Sequence, residues 1–202
     1  MISLSHFSDI HTHVPGRPNS ILSIPPSEVE GICASNALFP EAERQYFSLQ
    51  LHPWHVQSEA DIDEFVRCAY QHRDDPQLVA IGECGLDGLC ATPLPLQEQA
   101  FLAALQVAQQ LQLPVIIHCV RHWDRLLALT SSFKRSQDCP LIIHGFRKGP
   151  QLARQLLNAG FSLSIGAHYD PDAAALIPSD RLYHETDEMP WSIAPKLAAE
   201  NG

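Results

Sequence analysis

Two histidines near the start of the sequence are spaced so that they can bind a single metal ion. In the segment Asp9–His13, which reads DIHTH, His11 and His13 lie two residues apart after a short apolar run. Side chains two residues apart on a strand project to the same face, so both imidazoles can reach one ion. A pair of exposed loop histidines is the alternative interpretation of this motif.

A glutamate and two more histidines also follow apolar runs. Glu83 comes after LVAIG, where a buried carboxylate needs a positive partner, and an arginine or a helix N-terminus is the alternative to a metal ion. His118 and His144 end the similar runs PVIIH and PLIIH. A single histidine after a strand is often a hydrogen-bonded core residue, but two at the same point of a repeated unit indicate a shared role.

The final apolar run ends in HETD, where Glu185 and Asp187 share one face, with capping of a following helix as the alternative. Strand ends far apart in the chain thus offer a set of ligands: His11, His13, Glu83, His118, His144 and Asp187. Imidazole and carboxylate together suit zinc, manganese or iron better than calcium, and this set exceeds what one tetrahedral ion takes. We therefore predict two divalent metal ions, with zinc, manganese and magnesium as the candidates.

Parallel strands can bring these residues together. The apolar runs that predict strands lie at 6–10, 20–24, 46–51, 78–82, 114–118, 140–144, 161–166 and 181–186. Segments with helical spacing or length lie at 58–73, 95–111, 121–133, 149–159 and 191–200. Alternation of the two favours the α/β class and a compact (β/α)8 TIM-like barrel, in which the C-terminal ends of the strands meet in one bowl.

We expect this barrel to be trimmed in its early β/α units. The 202 residues are fewer than the roughly 250 of a typical barrel. The nine residues between the first two runs are too few for a normal helix. The segment Pro25–Arg44 contains three prolines and a glycine, which predicts a short or irregular helix. We expect a single hydrolase domain over residues 1–202.

Composition limits the possible functions. The formal net charge of −10 argues against a protein that wraps long nucleic acid with a broad basic surface. Bound divalent ions can outweigh the local carboxylates, so a phosphoester enzyme remains compatible with this charge. Six scattered cysteines without a C-x-x-C pair predict reduced thiols. The sequence shows neither a signal-peptide pattern nor a membrane-length apolar stretch, and we expect a cytoplasmic protein without membrane contact.

The ordered motifs DIHTH, LHPWH, AIGECGLD, PVIIH, LIIHGF and HETD resemble those of the TatD family of metal-dependent deoxyribonucleases, which is part of the wider group of amidohydrolase-like barrels. The resemblance runs from Asp9 to Pro190 and is greatest to the shortened members of the family. It implies that one ion is bound by His11, His13 and Asp187. Glu83 would bridge to a second ion, which His118 and His144 would complete.

The resemblance also implies roles in the reaction. Asp187 would orient the attacking water or accept its proton. His52, in LHPWH, and Arg121, which follows PVIIH, would face the substrate phosphate. For Arg121 an exposed position at a helix start is the alternative, and the neighbouring Trp54 can stack a base or simply pack.

Three segments depart from the family pattern. GLC at 88–90 stands where larger members carry aromatic residues, GFR at 145–147 stands where they have Cys-Phe-Ser, and EMP at 188–190 stands where they tend to have a small residue and Pro-Tyr. The resemblance implies that these positions line the substrate cleft and not the metal site. Metal binding is therefore implied more directly than deoxyribonuclease activity.

Together these observations predict a hydrolase that cleaves phosphodiester bonds, in DNA ends or small nucleotide phosphoesters, with water activated by two divalent ions. Glu83 and Asp187 are its expected catalytic residues. A hydrolase of C–N or C–O bonds, such as an amidase, a lactonase or a deaminase, is the alternative on the same metal barrel. A non-catalytic metal-binding module is the second alternative, and no obligate protein partner is inferred.

Overall fold

Eight strands alternate with helices in a computed structural model that describes residues 4–40, 43–133 and 139–188. The strands are β1 (Asp9–Thr12), β2 (Ser20–Ile24), β3 (Tyr46–Leu51), β4 (Leu78–Asp87), β5 (Val115–Val120), β6 (Leu141–Ile143), β7 (Ser162–Ile165) and β8 (Leu182–His184). The α-helices are α1 (Pro26–Asn36), α2 (Glu59–Gln71), α3 (Leu94–Leu111), α4 (Trp123–Thr130), α5 (Pro150–Asn158) and α6 (Pro171–Ala174). Short 3₁₀ turns span Leu4–His6 and Ser179–Arg181.

The strands form one parallel sheet in chain order, from β1 to β8. The sheet closes on itself because Thr12 forms a parallel bridge with Asp187. The Asp187 amide donates to the His11 carbonyl at 3.0 Å, and the His13 amide donates to the Asp187 carbonyl at 3.2 Å. This arrangement confirms the predicted (β/α)8 barrel.

Large apolar side chains fill the layer between the sheet and its helices. Phe47 of β3, Phe65 of α2, Phe101 of α3 and Phe161 before β7 are completely buried there. Strands covered in this way are apolar on both faces, which is why they appear in the sequence as nearly continuous apolar runs. Within the described residues, no helix combines the length and the apolar character needed to cross a membrane.

Helix starts follow from local sequence signals. Pro26 and Pro150 are the first residues of α1 and α5, where proline lacks only an amide that would be unpaired in any case. The start of α2 is a capping box, in which the Asp61 carboxylate accepts from the amides of Gln57 and Ser58 at 2.8 Å each. These three helices therefore begin where proline or the capping motif predicts.

Several details differ from the sequence-based expectations. The link from β1 to β2 has no helix, as expected, but α1 is a regular helix of 11 residues rather than a short or irregular one, because its prolines lie at or before its first turn. The helix expected at 121–133 spans only Trp123–Thr130, since Arg121 has a left-handed φ of 68°. The helix expected at 191–200 lies outside the described residues.

Candidate metal centre

The Glu83 carboxylate is the centre of the site. Glu83 lies on β4 and is only 3% exposed. Five imidazole nitrogens approach its two oxygens: His144 Nε2 at 2.6 Å, His118 Nδ1 at 2.8 Å and His52 Nε2 at 3.2 Å from Oε1, and His11 Nε2 and His13 Nε2 at 3.4 Å each from Oε2. The two oxygens of one carboxylate therefore face two different groups of histidines.

Asp187 completes the group around Oε2. Its Oδ1 lies 3.8 Å from His11 Nε2 and 3.7 Å from His13 Nε2. Its backbone is held against β1 with φ at 53°, and its side chain is 45% exposed. Asp187 is thus the member of the site that solvent reaches most easily.

All six residues predicted as metal ligands meet at this end of the barrel. Donor atoms lie within 4.8 Å of one another in three groups: His11, His13 and Glu83; His52, Glu83 and His118; and His144, Glu185 and Asp187. The convergence follows from the strands, since each of these residues lies on a strand or just after its C-terminal end. Their role as ligands stays a prediction.

Two carboxylates that the sequence analysis did not assign contact His118 and His144 at the ring nitrogens that point away from Glu83. Asp87 Oδ2 lies 3.0 Å from His118 Nε2, and Glu185 Oε1 lies 3.3 Å from His144 Nδ1. Each imidazole therefore has one nitrogen on an outer carboxylate and the other on Glu83, an arrangement typical of metal-binding histidines. Asp87 lies in the motif GECGLD and Glu185 in HETD, near residues that the sequence analysis did assign. Because a metal-binding histidine usually has a second hydrogen-bond partner, these two acids could have been proposed for that role from the sequence.

The electrostatics of the site favour a cation. Burial alone raises the pKa of Glu83, but the surrounding imidazoles, His144 foremost, outweigh it and hold that pKa well below its ordinary value. Burial lowers the pKa of His144, but the Glu83 and Glu185 carboxylates outweigh it and raise that pKa well above its ordinary value. Two buried carboxylates thus attract positive charge to this position.

Unpartnered buried atoms fit a metal ion as well. Both ring nitrogens of His11 and Oε2 of Glu185 are buried without a well-formed hydrogen bond, although His11 Nε2 faces Glu83 Oε2 at 3.4 Å. Such orphaned polar groups are costly unless an ion or water meets them. The donor set of imidazoles and carboxylates suits zinc, manganese or another divalent transition ion.

The predicted substrate residues lie in different places. His52 is buried and belongs to the cluster, 3.2 Å from Glu83, and burial lowers its pKa. Arg121 is exposed after the end of β5. Trp54 is 60% exposed, and its Nε1 donates to Asp87 Oδ2 at 2.7 Å. The structure therefore brings His52 in among the buried donors and leaves Arg121 and Trp54 on the rim.

A small, partly open cavity of about 70 Å³ lies beside the cluster. Its lining includes Asp187 and Glu185 on one side and Arg147 and His168 on the other. Both Arg147 and His168 are exposed. The cavity thus combines the most accessible carboxylate of the cluster with two groups that can bind an anion.

Comparison with known proteins agrees with this geometry. A model of the family described as TatD related DNase matches residues 21–200. The chain is 30% identical over 172 residues to the uncharacterized metal-dependent hydrolase YcfH of Escherichia coli K12, covering 81% of this chain and 63% of YcfH. It is 37% identical over 148 residues to the 3'-5' ssDNA/RNA exonuclease TatD of a Rahnella species, covering 68% of this chain and 53% of that protein.

Solved structures support the same fold. YjjV, a TatD homologue of Escherichia coli, superimposes with a TM-score of 0.74 at 22% identity and covers 91% of this chain and 79% of its own. A TatD family hydrolase of Entamoeba histolytica gives a TM-score of 0.71 at 19% identity, covering 90% of this chain and 73% of its own. The chain spans between about half and two thirds of the curated relatives named above. From the match over residues 21–200, this chain belongs to the TatD-related DNase family.

Proposed function

We propose that this protein is a metal-dependent hydrolase that cleaves phosphodiester bonds at the ends of single-stranded nucleic acid or in small nucleotides. The observation that carries the proposal is the buried Glu83 carboxylate, whose two oxygens face separate groups of imidazoles. This arrangement suits a bridging ligand between two divalent ions. The names of YcfH, a metal-dependent hydrolase, and TatD, an ssDNA/RNA exonuclease, support the same activity.

In this proposal the ligands divide into two sets that share Glu83. The first set comprises His11, His13, Asp187 and Glu83. The second set comprises His118, His144 and Glu83. Two divalent ions held in this way would lower the pKa of a bound water molecule and neutralise charge on the phosphate oxygens.

The chain's own residues then have distinct tasks. Asp187 is the partly exposed acid beside His11 and His13, and it accepts the proton of the attacking water. Asp87 and Glu185 each bind the outer nitrogen of a histidine and so fix which nitrogen faces Glu83. Glu83, buried among imidazoles with a lowered pKa, stays ionised.

Substrate binding uses the two sides of the rim. Arg147 and His168 line the cavity beside Asp187, where a phosphate would lie. Trp54 exposes its ring on the side of His118, at a centroid distance of 6.3 Å from that imidazole. An anion site on one side and an aromatic face on the other fit a nucleotide, whose phosphate and base need both.

The proposal is tested by metal analysis together with an activity panel. The purified protein is stripped with a chelator and reloaded with zinc, manganese or magnesium, and it is assayed on labelled single-stranded DNA, RNA, a nucleotide diester, a lactone and a cyclic amide. We expect the phosphodiesters alone to be cleaved, and only by the reloaded protein. Turnover of the lactone or amide, with intact phosphodiesters, would instead identify a hydrolase of C–O or C–N bonds.

Variants connect that activity to the site. We expect Glu83→Gln to lose bound metal and to reduce kcat by at least about 10³-fold, because it removes the shared carboxylate. Asp187→Asn should reduce kcat strongly while keeping most of the metal bound by the other ligands. Glu64→Gln, an exposed glutamate on α2, is the matched control and should behave as the wild type. Full activity in Glu83→Gln would contradict the proposal.

A further inference from the structure

A second cluster of metal-binding side chains lies on the opposite end of the barrel. Cys33 is near the C-terminal end of α1, His72 caps the end of α2, and Asp75 lies in the link to β4. Cys33 Sγ is 3.3 Å from Asp75 Oδ2 and 3.9 Å from His72 Nδ1. All three donor atoms lie within 4.8 Å of one another.

These separations match those of ligands around one small ion. Zinc binds sulfur at about 2.3 Å and nitrogen or oxygen at about 2.0–2.2 Å, so tetrahedral ligands lie about 3.5 Å apart. The Cys33 to Asp75 and Cys33 to His72 separations, 3.3 and 3.9 Å, lie on either side of that value. Little movement of the side chains is needed to bring the three donors onto a common ion.

The orientation of His72 and a hydrogen bond to Asp75 direct one donor atom of each residue at the thiol. The outer nitrogen of His72, Nε2, lies 3.5 Å from Glu30 Oε1, so Nδ1 is the nitrogen that faces the thiol. The other oxygen of Asp75, Oδ1, accepts from the Gln77 amide at 2.9 Å, which leaves Oδ2 toward the thiol. Glu30 is largely exposed, so this ion pair is weaker than the contacts that the buried Asp87 and Glu185 make with histidines at the barrel mouth.

The chemistry of the cluster argues against a nucleophilic cysteine. Glu30 lies 3.5 Å from His72, where the acid of a Cys-His-acid triad would lie, but the Cys33 thiol donates to Asp75 Oδ2 at 3.3 Å and is farther from the His72 base, at 3.9 Å. Burial, and next the Asp75 carboxylate, raise the pKa of Cys33 to about 12, so the thiol keeps its proton. An ion that displaces this proton would convert an unreactive thiol into a thiolate ligand.

We propose that Cys33 Sγ, His72 Nδ1 and Asp75 Oδ2 bind one divalent ion of the zinc class at the N-terminal face of the barrel, with water completing its coordination. The site is separate from the candidate centre around Glu83, which lies at the C-terminal ends of the strands. Since conserved chemistry of these barrels is confined to the C-terminal face, an ion here contributes to stability and fixes α1 against the end of α2.

Cobalt binding distinguishes this site from the mouth. A thiolate bound to Co²⁺ gives a near-ultraviolet charge-transfer band, whereas the ligand set predicted around Glu83 contains no sulfur. Titration of the metal-free full chain with Co²⁺ should therefore produce a band whose intensity at saturation corresponds to one cobalt-thiolate bond per chain, however much further Co²⁺ the mouth takes up, and competition with Zn²⁺ should remove it. We expect the band in the Glu83→Gln variant too, so that a failure of the proposed function leaves this test intact.

Matched cysteine variants identify the thiol. Cys33→Ser should abolish the band, and Asp75→Asn, which keeps an oxygen for Gln77, should weaken Co²⁺ binding by about tenfold or more. Cys90→Ser is the control, because Cys90 is a similarly half-buried free thiol near the barrel mouth. Absence of a band in the wild type, or its loss in Cys90→Ser with Cys33→Ser unaffected, would overturn the proposal. Folding of each variant is verified by circular dichroism.

Discussion

At the scale of single residues, Asp87 couples the buried histidines to the rim. Its Oδ2 accepts from Trp54 Nε1 at 2.7 Å and lies 3.0 Å from His118 Nε2, while its Oδ1 accepts from the Leu89 amide at 2.7 Å. Burial raises the pKa of Asp87, but these donors, Trp54 foremost, outweigh it and lower that pKa. An ionised Asp87 can accept a hydrogen bond from His118 Nε2, and Nδ1 is then the nitrogen directed at Glu83.

Removing the charge of Asp87 should therefore weaken the metal centre without removing a ligand. We expect Asp87→Asn to lower metal affinity or kcat by about 10- to 100-fold, as is usual for outer partners of metal-binding histidines. Isothermal titration with the preferred ion and steady-state kinetics measure the two effects. Asp124→Asn, an exposed aspartate in the first turn of α4, serves as control. Unchanged affinity and kcat in Asp87→Asn would refute the positioning role.

The exposed face of Trp54 leads to a separate prediction about substrate. If the ring stacks on a base, Trp54→Ala should raise KM for single-stranded DNA by about tenfold, since stacking contributes about 1–3 kcal/mol per base. Trp54→Phe keeps an aromatic face but loses the hydrogen bond to Asp87, so it should recover most of the affinity. A fall in kcat that is equal in both variants, with KM unchanged, would show that Trp54 acts only through Asp87.

Residue types and spacing were enough to predict that four of the five histidines around Glu83 meet there, because strand ends of a parallel barrel converge. They could not identify the outer partners, since Asp87 follows Glu83 on the same strand and its contact with His118 depends on the register between β4 and β5. The position of His52 also depended on geometry. A substrate contact and a buried neighbour of Glu83 are indistinguishable in the motif LHPWH.

At the scale of elements, β4 is the strand on which the site is built. The sequence indicated a strand that ends at Gly82, yet β4 runs on to Asp87 beside β5. Gly85 allows this continuation, because it pairs with His118 and has a φ of 144°, which side chains rarely adopt. Apolar periodicity ends at Glu83, so the polar half of β4 could not be recognised as a strand from its pattern.

A pair of glycine variants tests that role of Gly85. A Cβ on Gly85 would lie 2.0 Å from the His118 carbonyl oxygen, so Gly85→Ala should destabilise the protein by more than about 3 kcal/mol. Gly31 lies in α1 with nothing near the position of a Cβ, and Gly31→Ala should stabilise by about 0.4–1 kcal/mol. Urea denaturation of both variants measures the difference. Similar stabilities would mean that β4 and β5 are not in close contact here.

At the scale of the whole molecule, the trimmed barrel closes without a helix between β1 and β2. Closure depends on contacts between the two ends of the sheet, where Thr186 donates to Asp9 Oδ2 at 2.6 Å and Arg17 contacts both residues. The alternation of strands and helices was enough to predict the barrel and its order. This buried polar group at the closure was not predictable, because its members come from distant motifs and none has an unusual local pattern.

The overall charge determines how nucleic acid should bind. With a formal net charge of −10, the protein as a whole repels a polyanion, and in the proposed function the attraction comes from the mouth, where bound metal ions, Arg147 and His168 would meet a phosphate. Raising the salt concentration weakens both the general repulsion and the attraction at the mouth. A long strand exposes more phosphates to the repulsion than a dinucleotide does, so screening by salt relieves more repulsion for the long strand. We therefore expect KM for a long single strand to stay constant or fall as salt rises from about 50 to about 200 mM, whereas a basic binding groove would lose affinity by orders of magnitude.

Steady-state assays of a long single strand and a dinucleotide at constant metal concentration measure this dependence. A KM for the long strand that rises steeply with salt, beside a constant KM for the dinucleotide, would reveal an extended cationic track and contradict recognition of strand ends at the mouth alone.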